Sequence, residues 1–330
     1  MKSTLYIKAF FFLLALPVLA GFSSCASQGA TQAEEYFSIG MAYFEMGKFA
    51  EAEMWLNRAR AADKTMFASE YNLGRIAYET GRYEDAVKYF ETILKSDPDN
   101  VMALKAAAYS RIKNGDLEKA ESLYSRVLEL IPESADDGFN YALVLYGMEK
   151  YEDCEAVLNK YPFALEEKAP SVLLLARAQR AMKKVEAVDT YAKWTLVNTS
   201  SANAQGLYEF AQVLEEAGLN ARALEQYDEA IEALTKDTES LKKSTIRFEK
   251  ARLLLTEDPE NADGMTEFNT AITEGFSDTD AIEALIQDTR ITQYNKDDLI
   301  RALQKINNEE TEEDKKDEEE TEESETTEES

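Results

Sequence analysis

The sequence predicts an all-α protein built from repeated pairs of helices. Three observations support this. The stretch "YFSIGMAYFEMGKFAEAEMWLNRA", which begins at Tyr36, aligns without a gap with "EYNLGRIAYETGRYEDAVKYFETI", which begins at Glu70. Each stretch has two segments in which apolar residues recur every three to four positions, joined by a glycine-containing turn. No segment shows the strict alternation of a strand. One such pair cannot bury its apolar face alone, so we expect the pairs to stack.

Small and bulky residues keep the same register from one stretch to the next. The small residues are Gly40, Gly74, Ala108 and Ala142, and in a second series Ala52, Ala86, Ala120 and Cys154. The bulky residues are Leu56, Phe90, Tyr124 and Leu158, and the turn residues are Gly47, Gly81, Gly115 and, without glycine, Glu149. We expect the small residues to let two helices cross closely and the bulky ones to fill the space between neighbouring pairs.

This pattern resembles the tetratricopeptide repeat family, whose signature is W-x₂-L-G-x₂-Y, then A-x₃-F, then P, within one repeat. The resemblance implies an α-solenoid, a right-handed superhelix of helix-turn-helix repeats. Repeats are expected at 33–66, 67–100, 101–134, 135–167 (divergent), 168–203 (divergent) and 204–237, followed by a looser repeat-like pair at 238–277 and capping helices at 278–306.

The resemblance also indicates where a partner would bind, because the first helix of each repeat lines a concave surface in this family. By register, the inward-facing residues are Phe37, Met41, Phe44, Tyr71, Arg75, Tyr78, Lys105, Tyr109, Phe139, Tyr146, Tyr208 and Gln212. Aromatic side chains recur in this set, and they offer large contact area at low entropic cost. The alternative is that individual members only pack against neighbouring helices.

The N-terminal segment has the pattern of a secretion signal. Lys2 and Lys8 make the first residues positively charged. Residues 9–20 are almost wholly apolar, and this run has the length of the apolar region of a signal peptide. The following "FSSC" at 22–25 resembles a bacterial lipobox, although Phe22 stands where Leu is commonest. This resemblance implies a signal peptide at 1–24, a diacylglyceryl group on Cys25 and a tether at 25–32. An ordinary signal peptide with an incidental cysteine is the alternative.

Composition excludes several function classes. The net charge of −28 argues against nucleic acid as a partner. The chain has no histidine, the commonest general base and metal ligand, so we expect no enzyme, no metal and no cofactor. Cys154 replaces alanine in the small series, which predicts a buried filler rather than a reactive thiol.

The segment 307–330 is strongly acidic, with 14 acidic residues and two lysines. It contains no aromatic or aliphatic residue, which predicts a disordered tail. Either it only increases solubility, or it attracts a basic partner or divalent cations.

Together these features predict a membrane-anchored lipoprotein that scaffolds other, unidentified cell-envelope proteins. An accessory subunit of an outer-membrane assembly or solute-transport complex is one alternative, and a groove that binds a small ligand is another. Ala26 after the cysteine favours the periplasmic face of the outer membrane, with the inner membrane and the cell surface left open. The oligomeric state is not predicted.

Overall fold

The computed structural model describes residues 31–198, 203–238 and 240–308, and every regular element within these ranges is an α-helix. The helices are α1 (31–45), α2 (Phe49–Ala62), α3 (Phe67–Glu79), α4 (Tyr83–Ser96), α5 (Val101–Lys113), α6 (Leu117–Leu130), α7 (Ala135–Gly147), α8 (Tyr151–Leu158), α9 (Pro162–Glu167), α10 (Ala169–Ala181), α11 (Glu186–Val197), α12 (Ala204–Glu216), α13 (Asn220–Ala233), α14 (Lys243–Glu257), α15 (Ala262–Thr273), α16 (Thr279–Gln287) and α17 (293–308). The predicted all-α fold class is confirmed.

The chain divides into two compact units, Met1–Ala164 and Leu165–Ser330. In unit 1, α3 packs on α4, α5 on α6 and α7 on α8, and α4 also packs on α5 of the next pair. In unit 2, α10 packs on α11, α12 on α13 and α14 on α15. Each unit is therefore a stack of helix pairs.

The two helices of a pair approach closely where the small residues lie. A Cβ atom built on Gly74 would lie 2.7 Å from Cε1 of Phe90, and one on Gly40 would lie 2.8 Å from Cγ of Leu56. Side chains do not tolerate such distances, so only hydrogen fits at these two positions. Cys154 is fully buried like the alanines of its series, and burial raises the pKa of its thiol to about 12.

The turns within the pairs from α1–α2 to α12–α13 use a left-handed residue, whether or not glycine is present, whereas the turn between α14 and α15 has none. Gly115 has φ of 79°, and Glu149 and Lys183 have φ of 59° and 56°. Glu149 donates its N–H to the Tyr146 carbonyl at 3.0 Å, and the next N–H bonds the Leu145 carbonyl at 2.9 Å. These bonds close the end of α7 as the glycine turns do elsewhere, so the hydrogen bonding imposes the conformation on a residue that disfavours it.

The second helix of the fourth pair, α8, is short because the chain turns before Pro162, which cannot continue a helix. The Tyr161 ring packs on Gly138, where an added Cβ atom would lie 2.2 Å from its Cε2 atom. Its hydroxyl donates to the Pro132 carbonyl at 2.9 Å.

At the C-terminal end, α16 and α17 contribute Ile282 and Leu299 to one buried cluster with Phe248 and Phe268. Capping helices are predicted at 278–306, and α16 and α17 lie in this range except that α17 continues to residue 308.

Some sequence-based predictions fall at the margins of the described ranges. Helix α1 includes residues 31 and 32 of the predicted tether, and α17 includes residues 307 and 308 of the predicted tail. The predicted signal peptide, the predicted lipid attachment site Cys25 and residues 309–330 lie outside the described residues. Among the helices described, none is both long enough and apolar enough to cross a membrane.

Replacing Glu149 with glycine should stabilise unit 1. The left-handed conformation costs a non-glycine residue about 1–2 kcal/mol, and the greater freedom of glycine in the unfolded chain offsets part of this gain. We expect the free energy of unfolding to rise by about 0.5–1 kcal/mol in thermal and urea melts followed by circular dichroism. The Gly115→Ala variant is the matched control and should lose stability; an unchanged or lowered midpoint for Glu149→Gly contradicts the account.

The Cys154 thiol should be unreactive in the folded protein. In a Cys25→Ser variant, Cys154 is the only cysteine. Because its raised pKa keeps the thiol protonated and the site is closed to solvent, Ellman's reagent should label it slowly until guanidinium unfolds the chain. The exposed Ala156 of the same helix supplies the control, since a Cys154→Ala/Ala156→Cys variant should react at once. Rapid labelling of native Cys154 would show that it is not a buried filler.

Candidate functional site

A cavity of about 520 Å³ lies between α3 and α5 in unit 1. We call it the α3–α5 cavity. Its lining residues are Tyr71, Arg75, Tyr78, Glu79, Phe90, Val101, Met102, Lys105, Ala106 and Tyr109. Five of these, Tyr71, Arg75, Tyr78, Lys105 and Tyr109, belong to the inward-facing set predicted from the register.

Helical spacing brings these five residues together. Tyr71, Arg75 and Tyr78 are separated by four and three positions, so they share one face of α3. Lys105 and Tyr109 hold the places in α5 that Tyr71 and Arg75 hold in α3, one repeat later in the sequence. The repeat register therefore places two equivalent helix faces, one on α3 and one on α5, opposite each other. The Phe90 ring of α4 lies between them.

The aromatic side chains give the cavity an apolar wall with polar edges. The Tyr71 ring lies 5.4 Å from the Phe90 ring, and the Tyr78 ring makes an edge-to-face contact with Tyr83 at 5.5 Å. Tyr109 is 41% exposed and Met102 is 62% exposed, so both stand at the rim. Burial raises the pKa of Tyr78, which keeps its hydroxyl protonated and able to donate a hydrogen bond at neutral pH.

The two cations of the cavity are in different situations. Lys105 makes an ion pair with the buried carboxylate of Asp137, with 2.6 Å between Nζ and Oδ1. Arg75 donates from Nη1 to the amide oxygen of Asn72 at 3.1 Å, and its guanidinium lies 4.5 Å from the centre of the Phe44 ring. It makes no ion pair with a carboxylate of the described residues, and Glu79 lines the same cavity without pairing with it.

The predicted residues of α1 lie beside the cavity rather than in its lining. Phe44 reaches it indirectly, through its contact with Arg75. Phe37 is partly buried against the cluster that contains Leu56 and Leu73. Met41 is half-buried on the same helix.

The predicted residues of α7, Phe139 and Tyr146, are half-buried and do not line the cavity. Tyr146 makes an edge-to-face contact with Tyr151 at 5.4 Å. The same contact joins Phe44 to Phe49 at 5.6 Å. The rings of Phe44 and Tyr146 therefore join the two helices of a pair across their turn. This is the packing against a neighbouring helix that was given above as the alternative to partner binding.

Tyr208 and Gln212 of unit 2 lie in surroundings that differ from those of the residues in the α3–α5 cavity. Tyr208 packs on the core with its ring 6.0 Å from Tyr227, and burial raises its pKa to about 12. Gln212 lines a charged recess of about 260 Å³. The other residues of this recess are Arg180, Glu215, Glu216, Glu249 and Arg252. Its charges are paired within the chain, with 2.6 Å between Arg252 and Glu215 and 2.8 Å between Arg180 and Glu216.

The register did not identify every lining residue. Val101, Met102 and Ala106 come from the first turns of α5 and share the helical face of Lys105 and Tyr109, three or four positions away. Phe90 was assigned only to packing, yet it forms part of the cavity wall. Cys25, the predicted lipid attachment site, lies outside the described residues.

Comparison with known proteins agrees with this architecture. Residues 33–64 and 71–135 match models of the tetratricopeptide repeat. An uncharacterized lipoprotein of Treponema pallidum (strain Nichols) is 27% identical over 173 residues, which cover 52% of this chain and 87% of that protein. The protein O-mannosyl-transferase Tmtc3 of Drosophila melanogaster is 26% identical over 125 residues, but these span only 14% of its length.

Among solved structures, a tetratricopeptide repeat protein from Parabacteroides merdae ATCC 43184 superimposes with a TM-score of 0.55. The match covers 77% of this chain and 98% of that protein at 18% sequence identity, and at this identity it shows the fold alone. The helix pairs described above, with the two matched segments, establish that this chain carries tetratricopeptide repeats and has the tetratricopeptide-repeat fold.

Proposed function

We propose that this protein is a non-catalytic, membrane-anchored scaffold that binds other proteins of a bacterial cell envelope. The α3–α5 cavity carries the proposal. It combines three tyrosines and a phenylalanine with an arginine that has no carboxylate partner among the described residues, and it opens to solvent at Met102 and Tyr109. Aromatic and arginine side chains contribute most of the binding energy at protein interfaces.

The partner would bind as an extended peptide or a helix along the inward-facing residues of unit 1. Beyond the cavity, the surface continues to the exposed Leu143 of α7, which holds the place of Tyr109 in the next repeat. The charged recess of unit 2 contributes less to this proposal, because its arginines already have intrachain partners.

The proposed anchor is a lipid on Cys25, and the similarity to a Treponema lipoprotein supports it. Two or three acyl chains anchor a protein stably, since each buried methylene contributes about 0.8 kcal/mol. Only five residues separate Cys25 from the first described residue, so the chain between them can reach at most about 20 Å and the lipid would hold unit 1 near the bilayer. We place the protein at the periplasmic face of the outer membrane.

A second candidate is a binding site for a small molecule. The volume of the α3–α5 cavity lies within the usual range for ligand pockets, about 300–1,000 Å³. Binding of a defined small molecule by the purified protein, without any captured protein partner, would favour this candidate.

Replacing Cys25 with serine, together with exchanging residues 1–24 for an ordinary cleavable secretion signal, should release the protein from the membrane. We expect wild-type protein in the membrane fraction, with mass spectrometry showing an N-terminal Cys25 that carries acyl chains. The serine variant should appear in the soluble fraction with the same helical circular dichroism spectrum. A soluble wild-type protein, or an unmodified Cys25, would contradict the anchor; the Cys154→Ala variant controls for loss of a thiol elsewhere.

Replacing Tyr109 with alanine should strongly reduce capture of a protein partner in cells. Tyr109 stands at the rim and its ring also lies 6.2 Å from that of the buried Tyr124, so its truncation removes exposed contact area and a circular dichroism melt checks that the fold is kept. In-cell crosslinking, affinity capture and mass spectrometry should recover a specific membrane or envelope protein with the wild type, and at least about tenfold less with Tyr109→Ala. Tyr294→Ala, which truncates a 74% exposed tyrosine of α17, is the matched control. Equal capture by both variants would reject the cavity as the binding site.

A further inference from the structure

Arg75 has a counterpart in unit 2 at the same place in the repeat. Arg177 follows it by three repeat periods, and each arginine comes directly after a small residue of its helix, Gly74 or Ala176. Arg177 donates from Nε to Oε2 of Glu209 at 2.7 Å and from Nη2 to Oε1 at 3.0 Å. This is a bidentate contact, the geometry in which arginine binds a carboxylate most strongly.

No carboxylate among the described residues pairs with Arg75 in this way. Glu209 lies on the first helix of the following pair, two residues before the fully buried Ala211. The equivalent residue in unit 1, two before the fully buried Ala108, is Ala106. Ala106 lines the α3–α5 cavity together with Arg75. The cavity therefore contains the space that a glutamate side chain would occupy, facing an arginine without an ion pair among the described residues.

We propose that the α3–α5 cavity binds a peptide through an acidic side chain that contacts Arg75 and an adjacent aromatic side chain that packs among the tyrosines. This inference rests on the proposed function and names the chemistry of its partner. The acidic group would take the place that Glu209 has at Arg177. The ring would contact Tyr71, Tyr78 and Phe90, which are apolar on their faces and polar only at the tyrosine hydroxyls.

The other charges of the cavity are consistent with a single bound carboxylate at Arg75. Lys105 is neutralised by Asp137, and Asp137 in turn accepts a hydrogen bond from Ser134 Oγ at 2.6 Å. Glu79, exposed at the last turn of α3, disfavours ligands with several negative charges in a row. The acidic segment 309–330 of this chain has carboxylates but neither an aromatic nor an aliphatic side chain, so it lacks half of the required chemistry.

Two probe peptides test the proposal on the full-length protein purified in detergent. The first, acetyl-GSEFSG-amide, carries the acidic and aromatic side chains, and the second, acetyl-GSQFSG-amide, replaces only the charge. In ligand-observed NMR titrations the glutamate peptide should bind the wild type at least about tenfold more tightly than the glutamine peptide, because a charged bidentate contact is lost. The Arg75→Gln variant should remove this preference.

The Ala106→Glu variant tests the same idea from within the chain. The new side chain should pair with Arg75 as Glu209 pairs with Arg177, and it should weaken binding of the glutamate peptide at least about tenfold while the protein keeps its helical spectrum. Ala156→Glu, on an exposed site of α8, adds the same charge as a control and should bind normally. If Ala106→Glu fails to fold, Arg75→Gln decides the outcome.

Several results would overturn the inference. They are the absence of glutamate-peptide binding at millimolar concentration, equal binding of both peptides, or an unchanged preference in Arg75→Gln. Equally tight binding of 3-phenylpropionate alone would assign the cavity to a small aromatic acid instead of a peptide. If Tyr109→Ala loses its cellular partner while Arg75→Gln keeps it, the carboxylate inference fails and the proposed scaffold function stands. If neither variant changes capture, the proposed function fails.

Discussion

The close crossing of the two helices within each pair is the constraint on which the rest of the structure depends. At Gly74 the α3 backbone lies so near the Phe90 ring that even a methyl group would overlap it, and Gly40 stands in the same relation to Leu56. The crossing fixes the rotation of each first helix about its axis. That rotation decides which residues face the core and which face the inward surface. The inward-facing positions therefore recur along the chain with the same period as the small residues.

Packing and binding therefore compete for the same kind of side chain. Phe44 and Tyr146 contact Phe49 and Tyr151 across the turns, and such aromatic contacts are worth about 0.5–1.5 kcal/mol beyond the buried area. Tyr78 makes the equivalent contact with Tyr83 and also lines the α3–α5 cavity. An aromatic residue at an inward-facing position is thus weak evidence for binding unless a cavity and an unsatisfied polar group accompany it.

The sequence was sufficient to predict the fold, because the small, bulky and turn positions recur with a period that only stacked helix pairs explain. It also predicted five residues of the cavity. It placed a turn at Glu149 but did not predict the left-handed backbone there, since local propensity disfavours that conformation and the hydrogen bonds that impose it come from the helix end. The register likewise missed Ala106, because an alanine gives no signal of its own: its importance depends on Arg75, which lies on a different helix.

The comparison between the two units explains why one inward face is open and the other is closed. In unit 2, the arginines at inward positions meet Glu209, Glu215 and Glu216 of neighbouring helices, and these pairs neutralise the surface from within. An ion pair that is already formed must be broken before a ligand gains anything, so such a surface binds weakly. In unit 1 the same backbone carries Ala106 in place of the glutamate, and the charge of Arg75 remains available next to an aromatic wall. A single difference in side-chain length and charge thus converts a structural contact of the repeat into a candidate recognition site, without any change in the fold.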